Sequence, residues 1–391
     1  MSGCRETVIS DLPDELAERI FKSISIRDAA RCALLSTDWR DSWYRHGRLV
    51  FDWDFFRDYK PSPETTSLIG NILIHRAGPI KKFKLQIFWS SGSDPVIKQS
   101  DLDRWCLHLS QNGIEKLHLS GPYGGPKYKL PSCLFYCKTI KQLYLEDFSF
   151  SLPVNAPCIF PELKSSKFTM VRFTRDEEGE GLVCSMPKLE KLVLSMCSGT
   201  PDYAITTPEL QRLTIFQCSS MAGRRWLMLH LSSIKTLHLH LTSSMDVAVD
   251  SPTFPTAINL QEITLHSFDF GCDYLLKYVV ELLKKSPNLR VLEINIAKRS
   301  KETNPALLEE IIEVDFRMLE TVKFNWFQGS KMELCLVKLL LSNSPALHHV
   351  VIHEGVDIDD SLTPWTPKKI LSFPCASPKA QIVYKSGIKY P

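Results

Sequence analysis

Apolar residues recur along this chain in a short spacing, L-x-x-L-x-L, which repeats between residues 80 and 352. The end of each copy alternates apolar and polar residues, as in Leu117-His118-Leu119, and such alternation predicts a short strand with one buried face. Successive copies begin 21 to 34 residues apart, so the chain contains a repeat array. The copies begin at Ile80, Ile114, Ile140, Leu163, Leu189, Leu210, Ile234, Leu260, Leu289, Leu319 and Leu347.

Turns and helices separate the predicted strands. A proline stands just upstream of several strands, as at Pro161 and Pro187, where it fixes a turn and prevents a helix from continuing. An opening strand is predicted at residues 49–51, and helices at residues 66–75, 274–285 and 331–341. Most repeat lengths fall in or close to the ~20–29 residues of leucine-rich repeats. The pattern therefore predicts an α/β solenoid with a parallel sheet on its concave face.

The polar residues of the L-x-x-L-x-L copies predict a binding surface. Since the leucines point into the solenoid, the alternate residues face the concave side. This side is basic in its first half, with Lys82 and Lys84, and rich in histidine in its second half. Our candidate target-binding residues are Lys116, His118, Tyr144, Lys191, Arg212, His238, His240, His266, Lys323 and His349.

The first fifty residues have helical rather than strand-like spacing, and three short amphipathic helices are predicted there. Thr37 is a candidate cap for the third helix, and Gly47 a candidate left-handed stop. Three helices of this size bury too little surface to be stable alone. Either they pack only on the repeat array, or some apolar faces meet a partner. The predicted apolar faces are Leu16, Ile20, Phe21 and Ile24; Ala29, Ala30, Ala33, Leu34 and Leu35; and Trp39 and Trp43.

The same segment resembles the F-box. The string Leu12-Pro13-Asp14-Glu15-Leu16, followed by Ile20-Phe21, Leu35 and Trp39-Arg40, has the order and spacing of that family without a gap. F-box proteins are substrate receptors of SCF (Skp–cullin–F-box) ubiquitin ligases. The resemblance implies a Skp-type adaptor as partner and, through it, a cullin. The residues it implies as contacting or supporting the adaptor are Leu12, Pro13, Leu16, Ile20, Phe21, Leu35 and Trp39.

Three further blocks resemble plant F-box proteins that have leucine-rich repeats and an FBD-type C-terminal segment. They are HRAGPIKKF at residues 75–83, LLLSNSPAL at 339–347 and FPCASPKA at 373–380. The predicted organisation is an F-box over residues 7–48, a linker and opening repeat over 49–79, a leucine-rich-repeat array over 80–330, and FBD-like repeats and tail over 331–391.

Composition narrows the function classes. The net charge of the 391 residues is only +3, which indicates no bias toward nucleic acid or an anionic membrane. No apolar stretch approaches the ~18 residues of a membrane span, and no signal peptide is seen at the start. The 12 cysteines are scattered, and the nearest pair, Cys133 and Cys137, lacks the further ligands that zinc requires. We expect a cytoplasmic or nuclear protein without a metal or cofactor.

No catalytic constellation with interpretable spacing is present, so an enzyme is not predicted. The leading prediction is a non-catalytic receptor that holds a target protein for ubiquitination. The alternative is a small-molecule or hormone receptor in which a ligand completes the target site, with residues 241–258 and 296–306 as the longest candidate inserts. The acidic run at residues 176–181 is predicted to be an exposed loop.

Two local alternatives remain open on the strand face. His240 and His266 occupy the same repeat position with His238 nearby, so a shared metal or a joint response to pH is possible, although exposed polar residues on a binding face are the simpler interpretation. An anionic cofactor is a second alternative. It would be held by Lys81, Lys82, Lys84, Lys116 and Arg212.

Overall fold

The computed structural model of the chain forms two compact units. Unit 1 comprises Met1–Leu189 and Ser198–Thr207, and unit 2 comprises Glu190–Cys197 and Pro208–Pro391. The structure describes residues 12, 14–59, 61–88, 97–151, 157–174, 183–199, 204–218, 227–240, 254–297, 315–355 and 367–388. Pro13, the acidic run at 176–181 and most of the two candidate inserts lie outside these residues.

Unit 1 begins with three helices, as the spacing predicts: α1 (Asp14–Ser23), α2 (Ile26–Cys32) and α3 (Thr37–Arg45). A serine caps each of the last two, because Ser25 Oγ accepts from Asp28 N at 3.1 Å and Ser36 Oγ accepts from Trp39 N at 3.3 Å. The predicted cap Thr37 is therefore wrong by one residue, and Thr37 is the first helical residue instead.

Two further expectations about these helices are wrong. Because α2 ends at Cys32, Leu34 and Leu35 lie beyond it and do not continue its apolar face. Gly47 is not a left-handed stop, since α3 ends at Arg45 and the next residue, His46, already has an extended conformation. Glycine is needed at position 47 for another reason: a Cβ there would lie 2.6 Å from the backbone oxygen of Pro79.

Parallel strands follow in unit 1, and β1, β2, β3, β5 and β7 pair in register. Their inward residues, such as Phe83 and Leu117, are fully buried or nearly so, and their polar residues face the other side, except the buried Ser166 of β7. The elements are β1 (Arg48–Phe51), α4 (Trp53–Asp58), α5 (Pro63–Ile74), β2 (Lys82–Gln86), α6 (Gln99–Gln111), β3 (Lys116–Ser120), β4 (Tyr128–Lys129), β5 (Gln142–Glu146), β6 (Phe148–Ser151), β7 (Ser165–Thr169), β8 (Arg172–Thr174), β9 (Val183–Ser185) and β11 (Ala204–Thr206).

Unit 2 continues the same scheme, and each of its strands pairs in parallel with the next. The helices predicted at 274–285 and 331–341 are confirmed as α7 and α8. The elements are β10 (Lys191–Ser195), β12 (Arg212–Phe216), β13 (Thr236–His240), β14 (Glu262–Phe268), α7 (Asp273–Lys284), β15 (Val291–Ile296), β16 (Thr321–Phe327), α8 (Lys331–Asn343), β17 (His349–Gly355), α9 (Pro367–Leu371) and β18 (Gln381–Ile388).

A left-handed residue recurs near the end of the repeat strands. The φ angle is 57° at Asp147, 52° at Met196 and 51° at Ser267, although none of these is glycine. This bend turns the next side chain inward, where Phe148 and Cys197 are buried. The position at which leucine-rich repeats favour asparagine or cysteine is thus an interior one.

The two C-terminal sequence blocks contact each other in unit 2. The backbone N–H of Ala376 donates to Leu341 O at 2.9 Å, and the buried Ser377 hydroxyl donates to Leu347 O at 2.6 Å. The tail block therefore packs on the last turn of α8 and on the loop that links α8 to β17. The predicted fold class, N-terminal helices followed by parallel repeat strands, is confirmed. Within the described ranges, no helix combines the length and apolarity that crossing a bilayer requires.

Candidate functional site

An aromatic cluster closes the core of the three-helix module, which we define as α1 to α3. The Phe21 ring of α1 lies 5.4 Å from that of Trp39 and 6.5 Å from that of Trp43, centroid to centroid. The His46 ring lies 5.5 Å from Phe21 on another side. Phe21 is 1% exposed and Trp39 is 4% exposed. These two predicted residues therefore support the module from within.

Three leucines of the module remain open to solvent. Leu16 on α1 is 41% exposed, and Leu34 and Leu35 in the turn after α2 are 85% and 57% exposed. Leu12 and Ile20 are half-buried. A single exposed leucine is ordinary, but here three of them accompany an aromatic core that is closed to solvent. Among the residues that the structure describes, these apolar side chains are left largely uncovered.

The sequence block at residues 75–83 attaches the module to the first repeat. The Arg76 guanidinium lies 4.0 Å from the centroid of the Trp43 ring and donates to Trp43 O and, at 3.2 Å, to Ile72 O. Backbone bonds reinforce it, because Ala77 N donates to Tyr44 O at 3.0 Å. Packing on the array thus uses the end of α3, while the three leucines stay exposed on other parts of the module.

Two buried bases at this junction have shifted pKa values. Burial lowers the pKa of Arg76 to about 10. Burial, followed by the positive charges of Arg76 and Arg48, lowers the pKa of His46 to about 4. His46 is therefore neutral near pH 7, in its buried position beside Phe21.

A cavity of about 620 Å³ lies between the module and the first strand. Its wall carries charges of both signs, with Arg27, Arg48 and Arg57 opposite Asp28 and Asp52, among others. Most of these charges have partners within the chain, such as Arg48 with Lys22 O and Asp52 with Lys84. The cavity is not the deep apolar pocket that a hormone-like ligand requires.

On the strand face of unit 1, two rows of outward side chains are in register. Lys82 of β2 lies beside Lys116 of β3. In the next row Lys84, His118, Tyr144 and Lys167 follow one another across four strands. The His118 and Tyr144 rings meet edge to face with centroids 3.9 Å apart, and Lys167 Nζ lies 5.0 Å from the Tyr144 centroid. Burial and nearby lysines lower the pKa of His118 to about 4.

On the strand face of unit 2, a hydrogen-bonded ladder crosses neighbouring strands. Asn295 Nδ2 lies 3.2 Å from His266 Nδ1, Asn325 Nδ2 donates to Asn295 Oδ1 at 2.6 Å, and Asn325 Oδ1 lies 2.6 Å from His353 Nδ1. His240 is in register with His266 and buried. The ladder holds these side chains in fixed orientations, so this face is rigid as well as polar.

The remaining predicted residues of unit 2 lie on the same face. Lys191 and Arg212 are in register on neighbouring strands, and Lys323 Nζ lies 4.0 Å from Glu293. The His238 and His266 rings are stacked with centroids 6.0 Å apart. Burial lowers the pKa of both histidines. Among the described residues, no group of three or more His, Cys, Asp or Glu side chains is arranged to hold a metal ion.

Two known protein families match separate segments of the chain. The F-box domain family matches residues 9–51. The family described as "At1g61320/AtMIF1, LRR domain" matches residues 72–249. The chain therefore contains an F-box domain followed by a leucine-rich-repeat domain. The family recognised from the sequence motifs is thereby confirmed.

Arabidopsis thaliana relatives align with nearly the whole of this chain. The F-box/FBD/LRR-repeat protein At1g13570 is 28% identical, over 96% of this chain and 98% of the relative. The FBD-associated F-box protein At4g10400 is 25% identical, over 88% of this chain and 92% of the relative. An alignment over 96% of the chain extends into its C-terminal region, in agreement with the FBD-type blocks seen in the sequence.

The structure adds residues to the candidate surfaces. Leu34, predicted on an apolar helix face and not among the candidate adaptor contacts, is more exposed than Leu35, because α2 ends before it. Asn295, Asn325 and His353 lie at outward positions, as the alternation of the repeat strands predicts, and they join the histidine ladder. They were not among the candidate target-binding residues, since charge and histidine content do not show which outward side chains bond to one another.

Proposed function

We propose that this F-box protein is the substrate receptor of an SCF-type ubiquitin ligase. In this role the F-box docks on a Skp-type adaptor, which connects it to a cullin, and the leucine-rich repeats bind a target protein. The observation that carries the proposal is the set of leucines left exposed beside a closed F-box core. Burial of Leu16, Leu34 and Leu35 in an adaptor interface supplies the apolar area that association requires.

The proposed mechanism is non-catalytic. A target held on rigid strands has its lysines at a high local concentration beside the ubiquitin-charged enzyme, so that a slow encounter between free proteins becomes a local one. Transfer of ubiquitin takes place on other subunits. The Arg76 contact with Trp43 supports this role, because it fixes the F-box on the first repeat and limits how far a bound target moves relative to the adaptor.

The test is co-expression of the full chain with a Skp-type adaptor, followed by affinity purification and size-exclusion chromatography. We expect one stable complex that Leu16→Asp weakens strongly, since a charge cannot be buried there without a partner. Leu107→Asp is the matched control, because Leu107 is similarly exposed but lies on α6, outside the F-box.

A folded chain that forms no complex with the adaptor would overturn the proposal. Equal loss of the complex in Leu16→Asp and Leu107→Asp would also contradict it, because the F-box leucine would then have no special role.

A further inference from the structure

The strand face of unit 1 carries more positive charge than the chain neutralises. We define the cationic face as Arg48, Lys82, Lys84, Lys116 and Lys167, all outward residues of β1, β2, β3 and β7. Arg48, Lys82 and Lys116 form one row across three adjacent strands. Neighbouring strands are ~4.8 Å apart, so like charges are held close together by the backbone.

The nearby carboxylates neutralise only part of this face. Asp52 pairs with Lys84 of the face at 3.1 Å, whereas Glu115 pairs with Lys141 at 3.0 Å and Glu146 accepts from Ser120 at 2.7 Å. In the part of the chain that the structure describes, no salt bridge neutralises Lys82 or Lys116. A row of like charges is unfavourable in the isolated chain, and a bound anionic group would relieve it.

A pair of aromatic rings lies in the middle of the cationic face. The His118 and Tyr144 rings contact each other between Lys84 and Lys167 in the second row. Both rings are half-buried at outward positions of their strands. A partner that fits this face combines negative charge with side-chain or backbone groups that pack on rings.

We propose that the cationic face binds an acidic segment of the target protein, a run of Asp and Glu residues lying across β1 to β7. This rests on the proposed function, and it specifies the chemistry of the target. The cations are spread over neighbouring strands and two rows, which matches distributed carboxylates better than one phosphoryl group, whose donors converge on a point. The net charge of the chain, only +3, does not favour nucleic acid.

The experiment measures fluorescence anisotropy of a fluorescein-labelled peptide of alternating Glu and Ser with the full chain, alone and with the Skp-type adaptor. Comparison probes are the same peptide with Gln for Glu, a peptide with a single phosphoserine, and a single-stranded oligonucleotide of equal charge. We expect the Glu peptide to bind with a dissociation constant at least about tenfold lower than that of the Gln peptide. Its affinity should fall as the salt concentration rises.

Charge-reversal variants locate the site. The double variant Lys82→Glu with Lys116→Glu should bind the Glu peptide about tenfold or more weakly than the unmodified chain does. The matched control is Lys129→Glu with Lys138→Glu, which makes the same change in charge at exposed lysines of unit 1 away from the cationic face. The control should bind the Glu peptide like the unmodified chain, and both double variants should keep adaptor binding and thermal stability.

Several results would overturn the inference. They are equal weakening in both double variants, tighter binding of the phosphoserine peptide, or tighter binding of the oligonucleotide than of the Glu peptide. Failure of this inference differs from failure of the proposed function. A chain that binds the adaptor but not the Glu peptide refutes only the acidic target, whereas a folded chain that binds no adaptor refutes the receptor role whatever the peptide does.

Discussion

Replacing Leu34 and Leu35 by alanine separates docking from folding in the F-box. Both side chains lie in the turn after α2, where they are 85% and 57% exposed. The isolated chain gains little from them, so we expect its unfolding free energy to change by no more than about 0.5 kcal/mol. If an adaptor covers this turn, the variant loses the full contribution of both leucines to the free energy of binding.

The magnitude follows from the exposed fractions. Each buried CH₂ group contributes about 0.8 kcal/mol, and Leu→Ala removes three carbons, so a fully buried leucine loses about 2.4 kcal/mol. Scaled by the 85% and 57% of each side chain that an adaptor can still cover, the two losses together come to about 3 kcal/mol. The dissociation constant should therefore rise about 100-fold.

The assay pairs surface-immobilised adaptor, for the dissociation constant, with tryptophan fluorescence during urea unfolding, for stability. Phe21→Ala is the contrasting variant. It is 1% exposed and in contact with both tryptophans, so its loss should cost about 3–5 kcal/mol of folding free energy. It should abolish adaptor binding by unfolding the F-box.

The reasoning is refuted by a dissociation constant that changes less than about threefold in the leucine variant while its stability is unaltered. Docking would then use another surface. A large loss of stability in the same variant would contradict it in a different way, since the leucines would have to belong to the core.

Two other predictions concern the junction between the F-box and the first repeat. Arg76→Lys removes the planar group that lies over Trp43 and donates to two carbonyls. We expect about 2–3 kcal/mol of destabilisation and faster proteolysis near residue 76. An unchanged rate of proteolysis would show that the contact is dispensable. The pKa of His46 is about 4 in the folded protein and 6.5 ordinarily. The unfolded state therefore takes up a proton first as pH falls through this range, and stability should fall with it. His46→Gln should flatten this dependence in urea unfolding at pH 7 and pH 5, and equal slopes for the two proteins would refute the assignment.

Much of the repeat array could be predicted from local spacing. Leu117 and Leu119 alternate with His118, and that alternation alone placed the histidine outward and the leucines inward, as the structure has them. The register also followed, because each copy of the motif brings its equivalent positions side by side although the repeats differ in length, as with His240 and His266. Helix ends were less predictable, since the true cap at Ser36 and the unpredicted role of Gly47 depend on side-chain bonds and on the approach of Pro79.

The sequence by itself determined the order of the parts: an F-box string without a gap, then strands at a leucine-rich-repeat period. These features are local, and a few neighbouring residues specify each one. Tertiary structure decided which apolar and charged side chains remain available for contact with a partner. Leu34 and Phe21 are both apolar, yet only Phe21 meets the tryptophans of α3. Lys82 and Lys84 are both basic, yet only Lys84 has Asp52 as a partner. Availability depends on surfaces that come together from distant parts of the chain, and local spacing does not contain that information.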